Sequence, residues 1–402
     1  VQVQAAGRAL LRVATLNVWG LSDWIARDGE RRMRAIVGKL PELDVDLVAL
    51  QEVWTLEWRR ILVSGARAHG FSHHWSNREG IGGGGLLLLS RLPLASPRFQ
   101  RFTLCGLPEH LHHGDYYSGK GFVIAGLTTP AGEVRILTTH LQAGYTDGPE
   151  DPHRGFRVAE LVEIAAALAA TRSPVVAVGD FNLQEGDPEY PLLLGLAGLR
   201  DAAAVLDHRQ ATTLPDHPYR GAGHGSSERI DYVLTRDGRG LAARPRSLQR
   251  VFDEWLVFDG ERGAYSDHAG LRAEIEVAQA DSALPPSPDE RAITSAAALL
   301  QQGRAEALAR RRGRRELGLA GLAGAAAAGG GAWRWRGDRR SFLRGALWAA
   351  ACLGLGVGGV SGLLSERFVQ NELAGYDHVD AALAKLAASR PQVLRARQVA
   401  SA

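Results

Sequence analysis

A succession of short, nearly unbroken apolar runs, most of them closed by a polar residue, constrains this 402-residue chain more than any other feature. DLVALQEV, GLLLLS, FVIAGLTT, EVRILTTHL, VVAVGDFN and RIDYVLT have the pattern of strands buried on both faces. LLRVATLNVW precedes them and AGLRAEIEVA follows. Helical spacing appears around Glu30 to Leu43 and in RVAELVEIAAALAAT, which Pro174 closes. The turns between strands are short and carry Gly or Pro, so many strands are neighbours in sequence. That arrangement predicts two mixed β-sheets packed together with helices outside, rather than one parallel sheet.

Composition sets the outer limits. The apolar share of 45% suffices for a sizeable core, and 23% charged residues is ordinary for a globular chain. Cys105 and Cys352 are far apart in segments of different character, so neither a disulfide framework nor a cysteine zinc site is expected. The first twenty residues lack the basic-then-apolar layout of a secretory signal. The net charge of +3 is uneven: residues from Gln279 onward hold 17 Lys and Arg against 10 Asp and Glu, and residues 1–278 hold 30 against 34. An acidic body disfavours nucleic acid as its partner, since phosphate-backbone affinity needs a basic stripe.

QADSALPPSPDE reads as a linker, dividing the chain into a body (1–278), a linker (279–290) and a C-terminal region (291–402). In that last region an Ala/Gly-rich run, Leu317 to Ala332, follows the basic RRRGRRE. WRWRGDRR leads into a second run, FLRGALWAAACLGLGVGGVSGLLS, long enough to span a bilayer. Gly354 with Gly358, and Gly358 with Gly362, give small-xxx-small spacings suited to close helix packing. Trp333, Trp335 and Trp348 resemble interfacial anchors. Two embedded segments, one span with a shallow helix, and an Ala-rich hairpin docked on the body all fit. Basic residues flank both runs, so charge gives no clear orientation. The end, Tyr376 to Leu386, is amphipathic.

Polar residues collect where the predicted strands stop: Asn17, Glu52, His140, Asp180 with Asn182, and Asp267 with His268. Asp231 is an acid inside a strand otherwise ready for burial. Singly, each has an ordinary reading as a solvated strand end, a polar turn, a structural histidine or an acid paired with Arg229 or Arg262. Asp180 and Asn182 straddle Phe181, so strand alternation would point both to one face. Jointly they supply oxygens for a hard cation, a histidine base and an acid to orient it, the equipment for hydrolysing a phosphate ester with an activated water. No nucleophile elbow is present, which leaves covalent catalysis the weaker reading.

HHGDYYSGKG contains the G-x-x-x-x-G-K spacing of a nucleotide loop. Gly121 stands where that loop needs Ser or Thr for magnesium, and the FVIAGLTT that follows is a strand, not a helix.

The ordered series LNVWG, LQEVW, TTHL, GDFN, RIDYVL and SDH resembles the endonuclease/exonuclease/phosphatase superfamily over residues 10–278. The resemblance implies a deoxyribonuclease-like four-layered α/β sandwich. It implies Mg²⁺ (Mn²⁺ as a substitute) held chiefly by Glu52, with Asn17 in the metal and phosphate shell. By the same resemblance His268 is the general base oriented by Asp231, Asp180 positions water and Asn182 the phosphate oxygens. His140 stabilises developing charge and Asp267 orders the site. The HHGDYYSGKG segment, GLLLLSRLPL and the hydrophobic C-terminal hairpin are similar to the neutral sphingomyelinase branch, in which an Asp and a Lys five positions later form a switch, here Asp115 and Lys120. That branch implies hydrolysis of sphingomyelin to ceramide and phosphocholine by a membrane-associated enzyme whose catalytic domain is cytoplasmic. A nuclease, an inositol-phosphate type phosphomonoesterase and a non-catalytic tethered module remain as alternatives. Trp19, Trp24, Trp54, Tyr116 and Tyr117 adjoin the motifs and are candidates to meet lipid or a choline cation.

Overall fold

The computed structural model describes residues 2–3, 7–77, 83–110, 113–145, 151–208, 213–214, 218–219, 228–335 and 341–390. His112, Gly82 of the glycine run and Arg336 to Arg340 of the WRWRGDRR loop lie outside the described residues.

The apolar runs form strands almost where the pattern puts them. The first half contains β1 (Gln2–Val3), β2 (Arg8–Gly20), α1 (Gly29–Leu43), β3 (Leu47–Val53), α2 (Leu56–Ala68), β4 (His73–Ser76), β5 (Leu87–Ser90) and β6 (Leu94–Arg101). After a four-residue helix, α3 (Asp115–Ser118), come β7 (Gly121–Thr129), β8 (Gly132–His140), α4 (Arg154–Ala169) and β9 (Val175–Asp180). Short α5 (Tyr190–Gly195), β10 (Arg200–Asp201) and α6 (Ala202–Val205) precede β11 (Asp231–Arg236), β12 (Leu241–Val251), β13 (Leu256–Phe258), β14 (Glu261–Gly263) and β15 (Gly270–Gln279).

One sheet runs β12-β15-β2-β3-β5-β4, with β1 on the start of β2; the other runs β10-β11-β9-β8-β7-β6. Each sheet has one parallel pair, β2 with β3 and β8 with β9, and is otherwise antiparallel. Residues at alternate positions (Leu11, Val13, Leu47, Ala49 from one sheet; Val134, Ile136, Val176, Val178 and Val233 from the other) make the core between the sheets. The opposite faces meet α1 and α2 through Leu16, Leu50, Met33 and Leu62, and α4 through Leu137, Ala177, Phe156 and Leu161. Four layers result, helix, sheet, sheet, helix, as expected.

The C-terminal region consists of α7 (Glu290–Arg334), α8 (Ser341–Leu363), a π-turn (Leu364–Phe368) and α9 (Val369–Ala388). Asp289 caps α7 by accepting from the Arg291 amide. The Leu317–Ala332 run is thus the far end of one 45-residue helix, not an element of its own. Ala292, Ala296, Leu300 and Ala307 of α7 and Val369, Tyr376, Val379, Leu383 and Leu386 of α9 share one core with α4. Gly155 and Gly303 make that docking close, since a Cβ on Gly303 would stand 2.4 Å from the Tyr376 hydroxyl oxygen and 3.1 Å from Gly155 Cα. Beyond it, α7 and α8 pack as a hairpin: a Cβ on Gly354 would meet the Gly321 carbonyl at 2.5 Å, and one on Gly358 would meet Leu322 at 2.7 Å. A Cβ on Gly362 would meet open space, although its amide nitrogen lies 3.8 Å from where a Cβ on Gly318 of α7 would stand. The helix Phe342–Ala388 is long and apolar enough to cross a membrane, and Phe342, Leu353, Leu355 and Val360 are exposed. Cys105 and Cys352 are unpaired thiols.

Candidate active site

Strand parity delivers most of the site. Inward-facing positions continue past the core to Asn17 on β2, His140 on β8, Asp180 on β9 and Asp231 on β11. In the second sheet, His140 is in register with Asp180, and Asp180 with Asp231, so three adjacent strands present them side by side. Beneath them, Gln51 Nε2 donates to Thr15 Oγ1 and Thr138 Oγ1, both at 3.1 Å, joining the sheets through a polar layer.

Glu52 does not follow parity. Alternation along β3 would send it under α1 and α2 with Val48 and Leu50. Its φ of 60° lies in the left-handed region, costly for a residue with a Cβ, and turns the carboxylate into the site. There Asn17 Nδ2 donates to Glu52 Oε1 and to Asp180 Oδ2, both at 2.9 Å. Asn182 likewise reaches the site by another route than expected. The strand ends at Asp180 and Asn182 has φ 49°, so a left-handed turn, not strand alternation, places it. Its Nδ2 donates to the Leu141 carbonyl, while its amide donates to Asp180 Oδ1.

Asp231 pairs with neither Arg229 nor Arg262; Arg229 is committed to Asp201 and Glu185. Asp231 Oδ2 instead lies 2.9 Å from His268 Nδ1, and His268 Nε2 faces Asp180 Oδ2 at 4.0 Å. The Ser266 hydroxyl ties this loop to β2 by donating to the Asn17 carbonyl at 2.6 Å. His140 Nε2 stands 3.5 Å from Asp180 Oδ2 and 3.9 Å from Glu52 Oε1.

Burial and the Asp267 carboxylate push Glu52 above the usual carboxylate range. Burial and Asp231 push Asp180 up to about 7. Burial, followed by Lys120 and His268, holds His140 well below the usual histidine range, so at neutral pH it is uncharged. Burial also opposes charge on His268, but Asp231, Asp267 and Asp180 outweigh it and raise the imidazole to about 10. The ligand atoms of Asp180, Asp231 and His268 all lie within 4.8 Å of one another. Because His268 Nδ1 is already bonded to Asp231, that triangle is foremost a hydrogen-bonded acid-base pair. Several buried carboxylates that raise one another's proton affinity, with amide groups among them, form the donor set of a hard divalent cation.

Asp115 and Lys120 are brought to the same cavity, about 470 Å³, lined also by Trp19, Trp54, Tyr117 and Tyr145. Lys120 Nζ lies 2.5 Å from Asp115 Oδ1 and donates to the Leu141 carbonyl at 2.8 Å, with both side chains buried. The chain after Lys120 is β7, which removes the helix a nucleotide loop requires. Trp24 projects into solvent, and Tyr116 packs edge-on against Phe368 of the π-turn. Sequence reading missed the residues that hold the pair. Gln142 Nε2 and the Tyr145 hydroxyl both donate to Asp115 Oδ2, at 2.7 and 2.5 Å, and the Gln142 amide donates to Glu160 of α4. The available signal was HLQAGY, whose polar side chains follow directly on the His140 strand end.

Residues 14–268 match the Endonuclease/Exonuclease/phosphatase family. The chain is 28% identical over 277 residues to a putative neutral sphingomyelinase of Drosophila melanogaster, covering 66% of this chain and 61% of that protein. It is 30% identical over 281 residues to sphingomyelin phosphodiesterase 2 of Homo sapiens, covering 66% and 64%. The match therefore spans less than two thirds of either relative's length. Among solved structures, sphingomyelinase C from Streptomyces griseocarneus superposes with a TM-score of 0.52 at 22% identity, covering 66% of this chain and 99% of that one. At that identity the likeness concerns the fold.

Proposed function

The chain belongs to the endonuclease/exonuclease/phosphatase family, and from that premise we propose that it is a divalent-metal-dependent phosphodiesterase that hydrolyses sphingomyelin to ceramide and phosphocholine. The observation that carries the chemistry is the convergence of Glu52, His140, Asp180, Asn182 and His268 on one cavity, with Asn17 and Asp231 bonded directly behind them. The lipid substrate is supported by the relatives' names and by the exposed apolar α8, which suits a protein held at a membrane.

Glu52, with Asn17 beside it, would hold the metal, Mg²⁺ being our assignment and Mn²⁺ a substitute. When bound, the ion supplies charge stabilisation to the phosphoryl oxygens. Positive charge held among Glu52, Asp180 and Asp267 would offset the carboxylates that raise His268, so that its Nε2 can take the proton of the attacking water, while Asp231 fixes the Nδ1 tautomer and the ring's direction. Asp180, 4.0 Å from Nε2, positions that water. Asn182 and uncharged His140 meet the phosphoryl oxygens as hydrogen-bond donors, and Asp267 orders the His268 loop. Water adds to phosphorus, the bond from phosphorus to the ceramide oxygen breaks, and that oxygen leaves with a proton. Asp115 and Lys120 are observed closed on each other; opening of this switch would free Lys120 toward the substrate.

We divide the chain into catalytic body (1–278), linker (279–290) and C-terminal region (291–402), with the α7–α8 hairpin in the membrane and the body on its cytoplasmic side. Headgroup release from vesicles of sphingomyelin, lysophospholipid and phosphatidylcholine, with and without Mg²⁺, tests the assignment. Mg²⁺-dependent phosphocholine release from sphingomyelin is the expected result. Nicking of plasmid DNA without such release would replace it with the nuclease alternative. Unchanged activity in Lys120→Ala would leave the Asp115 pair merely structural.

A further inference from the structure

Beside the oxygen-lined cavity lies a second cluster of a different chemical kind. His110, His113 and His153 offer ring nitrogens that all lie within 4.8 Å of one another. Two of them come from an H-x-x-H spacing closed into a single turn, in which the His113 amide donates to the His110 carbonyl at 3.0 Å. The third stands at the start of α4, where His153 is buried. Two of the ring pairs pack edge-on and the third is tilted, with centroids 4.8 Å (His110–His113), 5.9 Å (His110–His153, tilted) and 5.4 Å (His113–His153) apart.

We propose that His110, His113 and His153 form a zinc site that fastens the segment carrying Asp115 to the start of α4; it shares no ligand with the phosphodiesterase centre, although His113 also lines that cavity. Three imidazoles are a borderline donor set that suits Zn²⁺ and is poor for Mg²⁺, which prefers oxygen. Zinc–nitrogen bonds of about 2.0–2.1 Å in a tetrahedron put the nitrogens about 3.3 Å apart, so modest side-chain rotation closes the cluster. An independent observation points to a ligand. Among the described residues His153 Nε2 has no hydrogen-bond partner and Nδ1 meets the Asp151 carboxylate at 3.4 Å, although the side chain is only 1% exposed. A buried Nε2 left without a partner is costly for a ring that a metal does not use. The Asp151 carboxylate lies 3.4 Å from His153 Nδ1, which is the outer-carboxylate arrangement that orients a metal-binding imidazole and leaves Nε2 for the ion. Arg157 holds that carboxylate in turn at 2.6 Å.

The site's position gives it a role. His113 stacks face to face on Tyr145, with ring centroids 3.5 Å apart, and the Tyr145 hydroxyl donates to Asp115. Glu109, next to His110, pairs with Arg314 of α7. Zinc at this point would therefore set the segment that bears Asp115 and joins it to the C-terminal helices. These histidines act as positioning residues.

The test uses the full chain, purified with its affinity tag removed and dialysed against buffered nanomolar free Zn²⁺. About one equivalent of zinc per chain is expected, unaffected by Glu52→Ala and lost in a His110→Ala/His113→Ala double variant. Zinc should slow hydrogen exchange of residues 105–118 in the unaltered protein and not in the double variant. Cobalt titration of the unaltered protein needs no substitution: a four-coordinate nitrogen site gives intense visible bands, and a six-coordinate oxygen site gives weak ones. Failure to bind zinc overturns the proposal. So does zinc that survives the double variant but is lost in Glu52→Ala, which would put the ion in the catalytic cavity. Either failure leaves the phosphodiesterase reading intact, because that reading rests on other residues.

Discussion

The catalytic body and the α7–α8 hairpin depart from ordinary globular chemistry in opposite directions. In the body, carboxylates are drawn out of water close to one another: Asp180 is buried and Glu52 largely so, and both hold protons more tightly than free acids. In the hairpin, apolar side chains are turned outward: Leu353 is 71% exposed and Phe342 89%. Burying charge and exposing hydrocarbon are both unfavourable in water alone. The two departures suit two different partners, a cation for the first and an apolar phase for the second. Between them, the first half of α7 and α9 behave as ordinary soluble helices, burying Leu300, Tyr376 and Val379 on α4.

Breaking the cationic half of this contrast should have the largest effect. Glu52→Ala and His268→Ala are each expected to lower phosphocholine release by about a thousandfold or more. A loss of less than tenfold in either variant would remove that residue from the centre.

The apolar half is tested without truncation. Deleting residues 279–402 would strip α4 of its cover and confound folding with tethering. Leu353→Arg with Leu355→Arg alters only exposed positions of α8. Each arginine costs about 2.5–3.5 kcal/mol at the centre of a bilayer. Vesicle hydrolysis should fall at least about tenfold relative to a soluble short-chain substrate; equal rates on both would argue that α8 does not enter lipid.

A third substitution probes the joint between the regions. Gly303→Ala forces a methyl against Tyr376 and Gly155 and should destabilise by about 1–3 kcal/mol. A lowered melting temperature with cavity chemistry intact would separate docking from catalysis; no change would mean that the helices yield freely.

The smallest effect concerns proton competition. Asp180 has a folded pKa of about 7, raised from 3.8, so its contribution to stability is present at low pH and lost as pH rises towards 7. Mg²⁺ binds the deprotonated form. Its stabilisation, about 1 kcal/mol several-fold above the dissociation constant, should be seen by melting at pH 8 and largely vanish at pH 5. A pH-independent shift would place the ion away from these carboxylates.

Much of the candidate site was legible because polar residues interrupt or close otherwise apolar strands. Asn17, His140 and Asp180 stand out as polar ends of apolar runs and Asp231 as an acid within one, and in the strands all four fall on inward positions. Motif order located His268, Asp267, Asp115 and Lys120 as well. The sandwich followed from the lack of alternation in those runs, since strands apolar on both faces need cover on both.

Other features depended on backbone conformations and long-range neighbours that no local pattern carries. Glu52 and Asn182 reach the cavity only through left-handed turns, which surrounding packing imposes against local preference. Gln142, Tyr145 and Glu160 gain their roles from where α4 passes. The three-histidine cluster joins positions separated by forty residues. In the C-terminal region the sequence determined which stretches are apolar, helical and rich in small residues. Which of them are buried was decided by tertiary structure: α4 offers a complementary face to the first half of α7 and to α9, whereas α8 has only the narrow glycine seam of α7 to lie against. Burial depends on what stands opposite a side chain, and that partner is supplied by the fold.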